Sequence, residues 1–186
     1  MALPKVAVVN GSLRKDSFNK KLALAVAKLA AGKLELKLVD LSEVPLYNQD
    51  LEANYPAAAQ RVKDEIAAAD AVLFVTPEHN RSIPAALKNI IDWVSRPYGT
   101  SKWAGKPAGI LGATPGQVGT AVAQNHLRSV LVAQGIALLG RPEVYFIYKD
   151  GVFDADHSVT DPAAKKILEG FVESFTGWVA KLTHTH

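Results

Sequence analysis

Two segments carry polar groups suited to holding a small anionic ligand: Gly11-Ser12-Leu13-Arg14-Lys15-Asp16-Ser17-Phe18-Asn19 and Thr76-Pro77-Glu78-His79-Asn80-Arg81-Ser82-Ile83-Pro84. Each follows a short apolar run and opens a stretch of helical periodicity. The first offers the Ser12 and Ser17 hydroxyls, the Asn19 amide, the Arg14 guanidinium and the free N–H groups of a starting helix, a donor set that suits a phosphate. It has neither the G-x-x-x-x-G-K-[ST] of a nucleoside-triphosphate loop nor the G-x-G-x-x-G of a dinucleotide loop, so a single phosphate monoester is the expected ligand. By itself this segment reads equally well as Ser17 capping a helix beside a solvated Arg14. The second segment favours binding. The backbone of Pro77 to Asn80, the Asn80 amide and the His79 ring can line the face and rim of a flat heterocycle. Glu78 reads as an acceptor that organises the loop backbone rather than as a general base. Thr114-Pro115-Gly116-Gln117-Val118-Gly119 forms a possible third wall, with Gly116 allowing close backbone approach.

The elements that must position these segments alternate between short valine- and leucine-rich runs and longer amphipathic stretches, the pattern of βα units. Strands are expected at Lys5 to Asn10, Leu34 to Asp40, Ala71 to Val75, Ala108 to Gly112 and somewhere in Leu138 to Ile147, the last interrupted or at an edge because of Pro142. Helices are expected through Phe18, Leu22, Val26 and Leu29, ending near Gly32; from Pro56 through Val62 and Ile66; through Leu87, Ile90, Ile91 and Val94; from Val118 to Gln134; and from Asp161-Pro162 along Ile167, Phe171, Phe175, Trp178 and Leu182. Leu41 to Tyr55 reads as a long loop, and Trp93 as a packing residue. Ala71 to Val75 lacks polar alternation and should be central. The expected fold is α/β: a doubly wound, five-stranded parallel sheet of order 2-1-3-4-5 with helices on both faces. In that order the ligand crevice lies outside the carboxyl ends of strands one and three, from which the two polar segments emerge. A phosphate at one loop and a flat ring at the other match the shape of FMN.

The 186 residues are 48% hydrophobic, contain no cysteine and carry a net charge of +3. One domain over 1–186 is expected, with 182–186 as a frayed tail. The absence of cysteine excludes disulfides, thiol nucleophiles and zinc–thiolate or iron–sulfur sites, so any redox chemistry belongs to a bound cofactor. Basic residues are scattered among acids, which argues against nucleic acid. No apolar run reaches the roughly 20 residues of a membrane span, and Met1 to Lys5 leads directly into the first strand, so a cytoplasmic protein without membrane insertion is expected. His184 and His186 read as part of the frayed end, and His126 and His157 lack acidic partners at ligand spacing, so no metal is expected.

At these residues the sequence resembles the NADPH-dependent FMN reductase family, in particular the soluble quinone and chromate reductases of bacteria. Besides the two opening segments, the resemblance rests on Pro45-Leu46-Tyr47-Asn48-Gln49-Asp50, on Ser82, Pro84 and Leu87-Lys88-Asn89, and on Ile91-Asp92-Trp93, and it spans nearly the whole chain. It implies a flavodoxin-like fold that binds FMN non-covalently, with Ser12, Arg14, Ser17, Phe18 and Asn19 around the phosphate and ribityl chain. Pro77, Glu78, His79 and Asn80 would then hold the ring. It also implies a two-step reaction in which NAD(P)H reduces the flavin and an acceptor such as a quinone, chromate, an azo compound or free flavin reoxidises it; the protein supplies no catalytic side chain of its own. Family members assemble as dimers or tetramers, for which Asn125, His126 and Arg128 are candidate contacts. The chain departs from the family pattern at His79, usually tyrosine, and at Thr114-Pro115-Gly116, usually serine-rich. The competing reading is a flavodoxin-like electron carrier, although carriers tend to be acidic. A phosphorylated signalling domain of this fold class would need acidic strand ends, where this chain has Asn10 and Thr76.

Overall fold

The computed structural model describes residues 2–183. Six parallel strands form one sheet: β1 (Lys5–Asn10), β2 (Glu35–Leu38), β3 (Ala71–Val75), β4 (Pro107–Thr114), β5 (Ala137–Leu138) and β6 (Val144–Ile147). The order is β2-β1-β3-β4, and the outer edge of β4 is covered in two pieces, first by β5 and then by β6. The registers are parallel throughout, Val6 facing Ala71, Pro107 facing Ala137 and Leu111 facing Val144. The expected fifth strand is thus split, with the Gly140-Arg141-Pro142 stretch between its halves; a proline there has no N–H to give β4.

Five α-helices cover the sheet: α1 (Phe18–Leu29), α2 (Ala57–Ala68), α3 (Ala85–Val94), α4 (Ala121–Ala133) and α5 (Pro162–Thr183). Side chains alternate across a strand, so Val6 and Val8 point to α1 and α5, where Leu22, Val26, Phe171 and Phe175 are buried. Ala7 and Val9 point the other way, to Val62 and Ile66 of α2, Leu87 and Ile90 of α3, and Leu127 of α4. Both faces being covered explains why all of β3 is apolar and buried.

Several expectations need correction. Ile167 is 54% exposed, and Leu168, one position on, is the buried residue of the α5 stripe. Leu182 and Thr183, expected to be frayed, are helical, with the Thr183 hydroxyl donating to the Val179 carbonyl at 2.9 Å. His184 and His186 lie outside the described residues. Pro56 is the N-cap of α2 rather than a residue of its first turn, and α4 starts at Ala121 rather than Val118. The Leu41 to Tyr55 stretch holds a 3-10 helix, Gln49–Asn54, begun by Asn48, whose side chain accepts from Asp50 N–H at 3.0 Å. The stretch is pinned to α3: Asn89 Nδ2 and Trp93 Nε1 both donate to the Pro45 carbonyl at 2.8 Å, and Tyr47 N–H donates to Asn89 Oδ1 at 2.7 Å. Trp93 is fully buried, as its helical spacing suggested.

Candidate functional site

The loop after β1 begins with an Asx turn. Asn10 Oδ1 accepts from Ser12 N–H and its Nδ2 donates to the Ser12 carbonyl, both at 3.1 Å, fixing Ser12 at the start of the loop. The sequence expectations give Asn10 no part in holding this loop. A polar residue closing a buried strand just before glycine was the available signal. Ser17, 1% exposed, caps α1 by accepting from Lys20 N–H at 3.1 Å, so the capping role is real. This leaves the N–H groups of Phe18 and Asn19, in the first turn, without intrahelical acceptors. Phe18 stacks on Tyr148 with ring centroids 4.1 Å apart, and the Arg14 guanidinium lies 5.3 Å from the Phe18 ring centroid. Ser12 is half-buried at the rim, and Arg14 is exposed.

Asn19 is buried and turned into the fold. Beyond Val75, where β3 ends, Ala113 of β4 is paired with β6 on one side but has no strand on the other, and the Asn19 amide takes that place. Its Nδ2 donates to the Ala113 carbonyl at 2.9 Å and its Oδ1 accepts from Ala113 N–H at 2.8 Å. The side chain therefore works as a clamp between the first loop and β4.

The loop after β3 is a tight hairpin. His79 and Ser82 exchange backbone hydrogen bonds at 3.0 and 2.9 Å, and the two residues between them, Asn80 and Arg81, have φ of 49° and 63°. That conformation is tolerated better by Asn than by most side chains and puts His79, Asn80 and Arg81 at the exposed tip. Glu78 is only 10% exposed; its Oε2 accepts from Val122 and Ala123 N–H, each at 3.1 Å. The N-cap of α4, Thr120, has φ 70° and makes no side-chain cap bond, so Glu78 caps that helix from another element. Glu78 Oε1 meets Arg81 at 3.2 Å, and Ser82 Oγ lies 3.1 Å from His126 Nδ1 of α4. The loop after β4 turns at Thr114, whose Oγ1 accepts from Gly116 N–H at 3.3 Å; Gly116 is exposed.

Close backbone packing draws the three loops together. Gly11 N–H donates to the Val75 carbonyl at 2.9 Å, and a Cβ at Gly11 would stand 2.7 Å from Pro84 Cγ, beyond the hairpin. A Cβ at Gly112 would stand 2.2 Å from the Thr76 carbonyl oxygen and 2.5 Å from Thr120 Oγ1. Ser12, Arg14 and Ser17 thus share one end of the sheet with Pro77 to Asn80 and with Thr114 and Gly116, while Asn19 and Glu78 hold the loops in place.

An open sheet of this order, with a phosphate-type donor loop after β1 and backbone-rich loops after β3 and β4, defines the flavodoxin-like class of flavin-binding proteins. The family description for NADPH-dependent FMN reductases matches residues 4–150, and the chain belongs to that family. A 2-hydroxy-1,4-benzoquinone reductase from a Burkholderia species is 46% identical over 179 residues, covering 96% of this chain and 97% of the relative. A quinone reductase from Pseudomonas putida is 46% identical over 175 residues, 94% of each chain. Among solved structures, FerB, a flavoenzyme NAD(P)H:acceptor oxidoreductase from Paracoccus denitrificans, superposes with a TM-score of 0.94 at 46% identity, covering 97% of this chain and 99% of that one. The protein is an NAD(P)H-dependent FMN oxidoreductase. The donor set fits the cofactor: hydroxyls, a guanidinium and free helix N–H groups for a phosphate, main-chain groups for the rim of a ring.

Proposed function

We propose that Ser12, Arg14, the Ser17 hydroxyl and the first-turn N–H groups of Phe18 and Asn19 hold the FMN phosphate, and that Pro77, Glu78, His79 and Asn80, with Thr114 and Gly116, border its ring. The observation that carries this division is the convergence of the loops after β1, β3 and β4, held by Gly11 against Pro84 and by Asn19 on Ala113. FMN, when bound, supplies the hydride-accepting and hydride-donating ring. The chain's own residues neutralise the phosphate, fix the ring edge with immobile backbone groups and leave one side open to small reactants. Glu78 contributes by immobilising the hairpin rather than by moving a proton, since both its oxygens are engaged.

The acceptor proposed first is a quinone, supported by the two reductases that share 46% of their residues with this chain. Chromate, azo compounds and free flavin are proposed as further acceptors, because an exposed hairpin tip restricts access little. We place the enzyme in the cytoplasm as a single-domain chain that assembles into a dimer or tetramer, with α4 residues Asn125, His126 and Arg128 at the contact. Among the described residues no helix is long and apolar enough to cross a membrane.

The test is the visible spectrum of the purified protein, followed by NADPH and NADH oxidation with a quinone, chromate and an azo dye compared by kcat/KM. Flavin absorbance with quinone-dependent turnover is expected. A colourless protein that fails to take up FMN on titration refutes the cofactor assignment, and a yellow protein without NAD(P)H turnover points to an electron carrier instead.

A further inference from the structure

A cleft of about 340 Å³ lies beside the first loop, between the ends of β1 and β2; of its lining, Ser12 and Arg14 are also proposed to hold the FMN phosphate. Its volume is at the lower end of the ~300–1,000 Å³ range of small-molecule sites. Arg14, Lys15 and Lys20 line it from the loop and the first turn of α1; Asp40 and Ser42 line it from the segment after β2. Among the described residues, no ion pair is formed by any of these three cations. Leu13, 59% exposed, adds an apolar wall that nothing among the described residues covers.

The single carboxylate is held apart from the cations. Ser42 N–H donates to Asp40 Oδ1 at 2.9 Å, and the backbone and side-chain hydrogen bonds from Ser42 keep the Asp40 carboxyl below the usual carboxylate range. With Arg14 given to the FMN phosphate, Lys15 and Lys20 stand as two uncompensated cations against one occupied carboxylate and leave a net positive site with an apolar flank. That combination suits a phosphorylated nucleoside, with the base against Leu13, ribose oxygens near Asp40 and a phosphate among the cations.

We infer that this cleft receives the adenosine 2′-phosphate of NADPH and favours NADPH over NADH, with Lys15 and Lys20 as the specificity-determining residues. This rests on the reading of the protein as an NAD(P)H-dependent flavin enzyme. The dinucleotide then lies across the first loop, its nicotinamide end on the β3 side and its adenosine end on the β2 side. Because Lys15 and Lys20 belong to the cleft and not to the proposed FMN donors, their loss should separate dinucleotide preference from cofactor binding.

The experiment compares the FMN-loaded protein with its Lys15→Gln/Lys20→Gln variant. The first measurement is calorimetric titration with 2′,5′-ADP and with 5′-AMP, which needs no turnover. The second is steady-state KM for NADPH and NADH with one quinone. The expected result is 2′,5′-ADP binding to the unaltered protein that weakens tenfold or more in the variant, with NADPH KM rising by a similar factor. NADH KM, kcat and the flavin spectrum should stay within twofold. Failure of 2′,5′-ADP to bind the unaltered protein, or an equal rise of both KM values, overturns the inference. Loss of FMN from the variant overturns it too, by giving the lysines to the cofactor phosphate. Absence of all NAD(P)H turnover in the unaltered protein, with 2′,5′-ADP binding that still depends on the lysines, refutes the redox reading and leaves the nucleotide cleft standing.

Discussion

Replacing Asn19 with alanine tests the clamp between the first loop and β4. Asn19 is 3% exposed, and its amide satisfies both backbone groups of Ala113 at 2.8 and 2.9 Å, in place of the strand partner that β3 does not extend far enough to supply. In Asn19→Ala the Ala113 N–H and carbonyl remain buried with no protein partner. Each orphaned group costs about 1–3 kcal/mol, so the FMN-free protein should lose about 3–4 kcal/mol. At ~2–4 °C per kcal/mol for a chain of this size, Tm should fall by about 6–16 °C. Asn19→Asp should be no better at neutral pH, because a carboxylate oxygen would then face the Ala113 carbonyl. The assay is thermal and urea unfolding of FMN-free protein, followed by FMN titration of whatever remains folded. An FMN-free Tm unchanged by Asn19→Ala, with FMN affinity lost, would show that Asn19 is a ligand and not a clamp.

Glu78→Ala leaves the N–H groups of Val122 and Ala123 uncapped and should cost about 2 kcal/mol in urea unfolding, while Glu78→Gln keeps most of the stability because an amide oxygen still accepts. Gly112→Ala puts a methyl 2.2 Å from the Thr76 carbonyl, and a loss of about 3 kcal/mol or more is expected; an unchanged Tm would mean that the β3 and β4 loops yield easily. Arg14→Ala should weaken FMN binding by about 1.5–3 kcal/mol, roughly 10- to 150-fold in Kd measured by flavin fluorescence, and an unchanged Kd removes Arg14 from the phosphate site. Burial, and then the nearby Glu52 carboxylate, raise the Tyr55 hydroxyl from 10.0 to about 12. The folded state thus holds that proton more tightly than the unfolded chain, so its stabilising effect is complete below pH 10 and disappears as pH rises towards 12. Tyr55→Phe should flatten the decline in Tm across that window, and identical alkaline profiles would count against it.

Local signals carried far where the physics is local. The unbroken apolar run of β3 announced a strand covered on both faces, and Ser17 followed by Phe18, Leu22 and Val26 marked where α1 begins and which side it buries. The loops of the site were legible because each sits between such a strand and such a helix. What the residues do inside the loops was less so. Asn19 and Glu78 have the composition of ligands, yet their partners lie 94 and 44 residues away, and no local spacing reveals a clamp or a borrowed cap. The 3-10 helix in the Leu41 to Tyr55 stretch depends on Asn48 and on hydrogen bonds from α3, and so leaves no periodic trace. Ile167 followed the helical spacing of its neighbours, but the edge position of β6 leaves its flank uncovered and Leu168 takes the core position.

The borrowed cap on α4 bears on how the chain reaches this structure. A helix capped by its own preceding residue can begin to form early, since the contact closes a short loop. The start of α4 is completed only when a residue 44 positions earlier has been carried to it by the pairing of β3 with β4. Its first turn therefore belongs among the late events of folding and the early events of opening, and its amide protons should exchange with those of the β3 hairpin rather than with the rest of the helix.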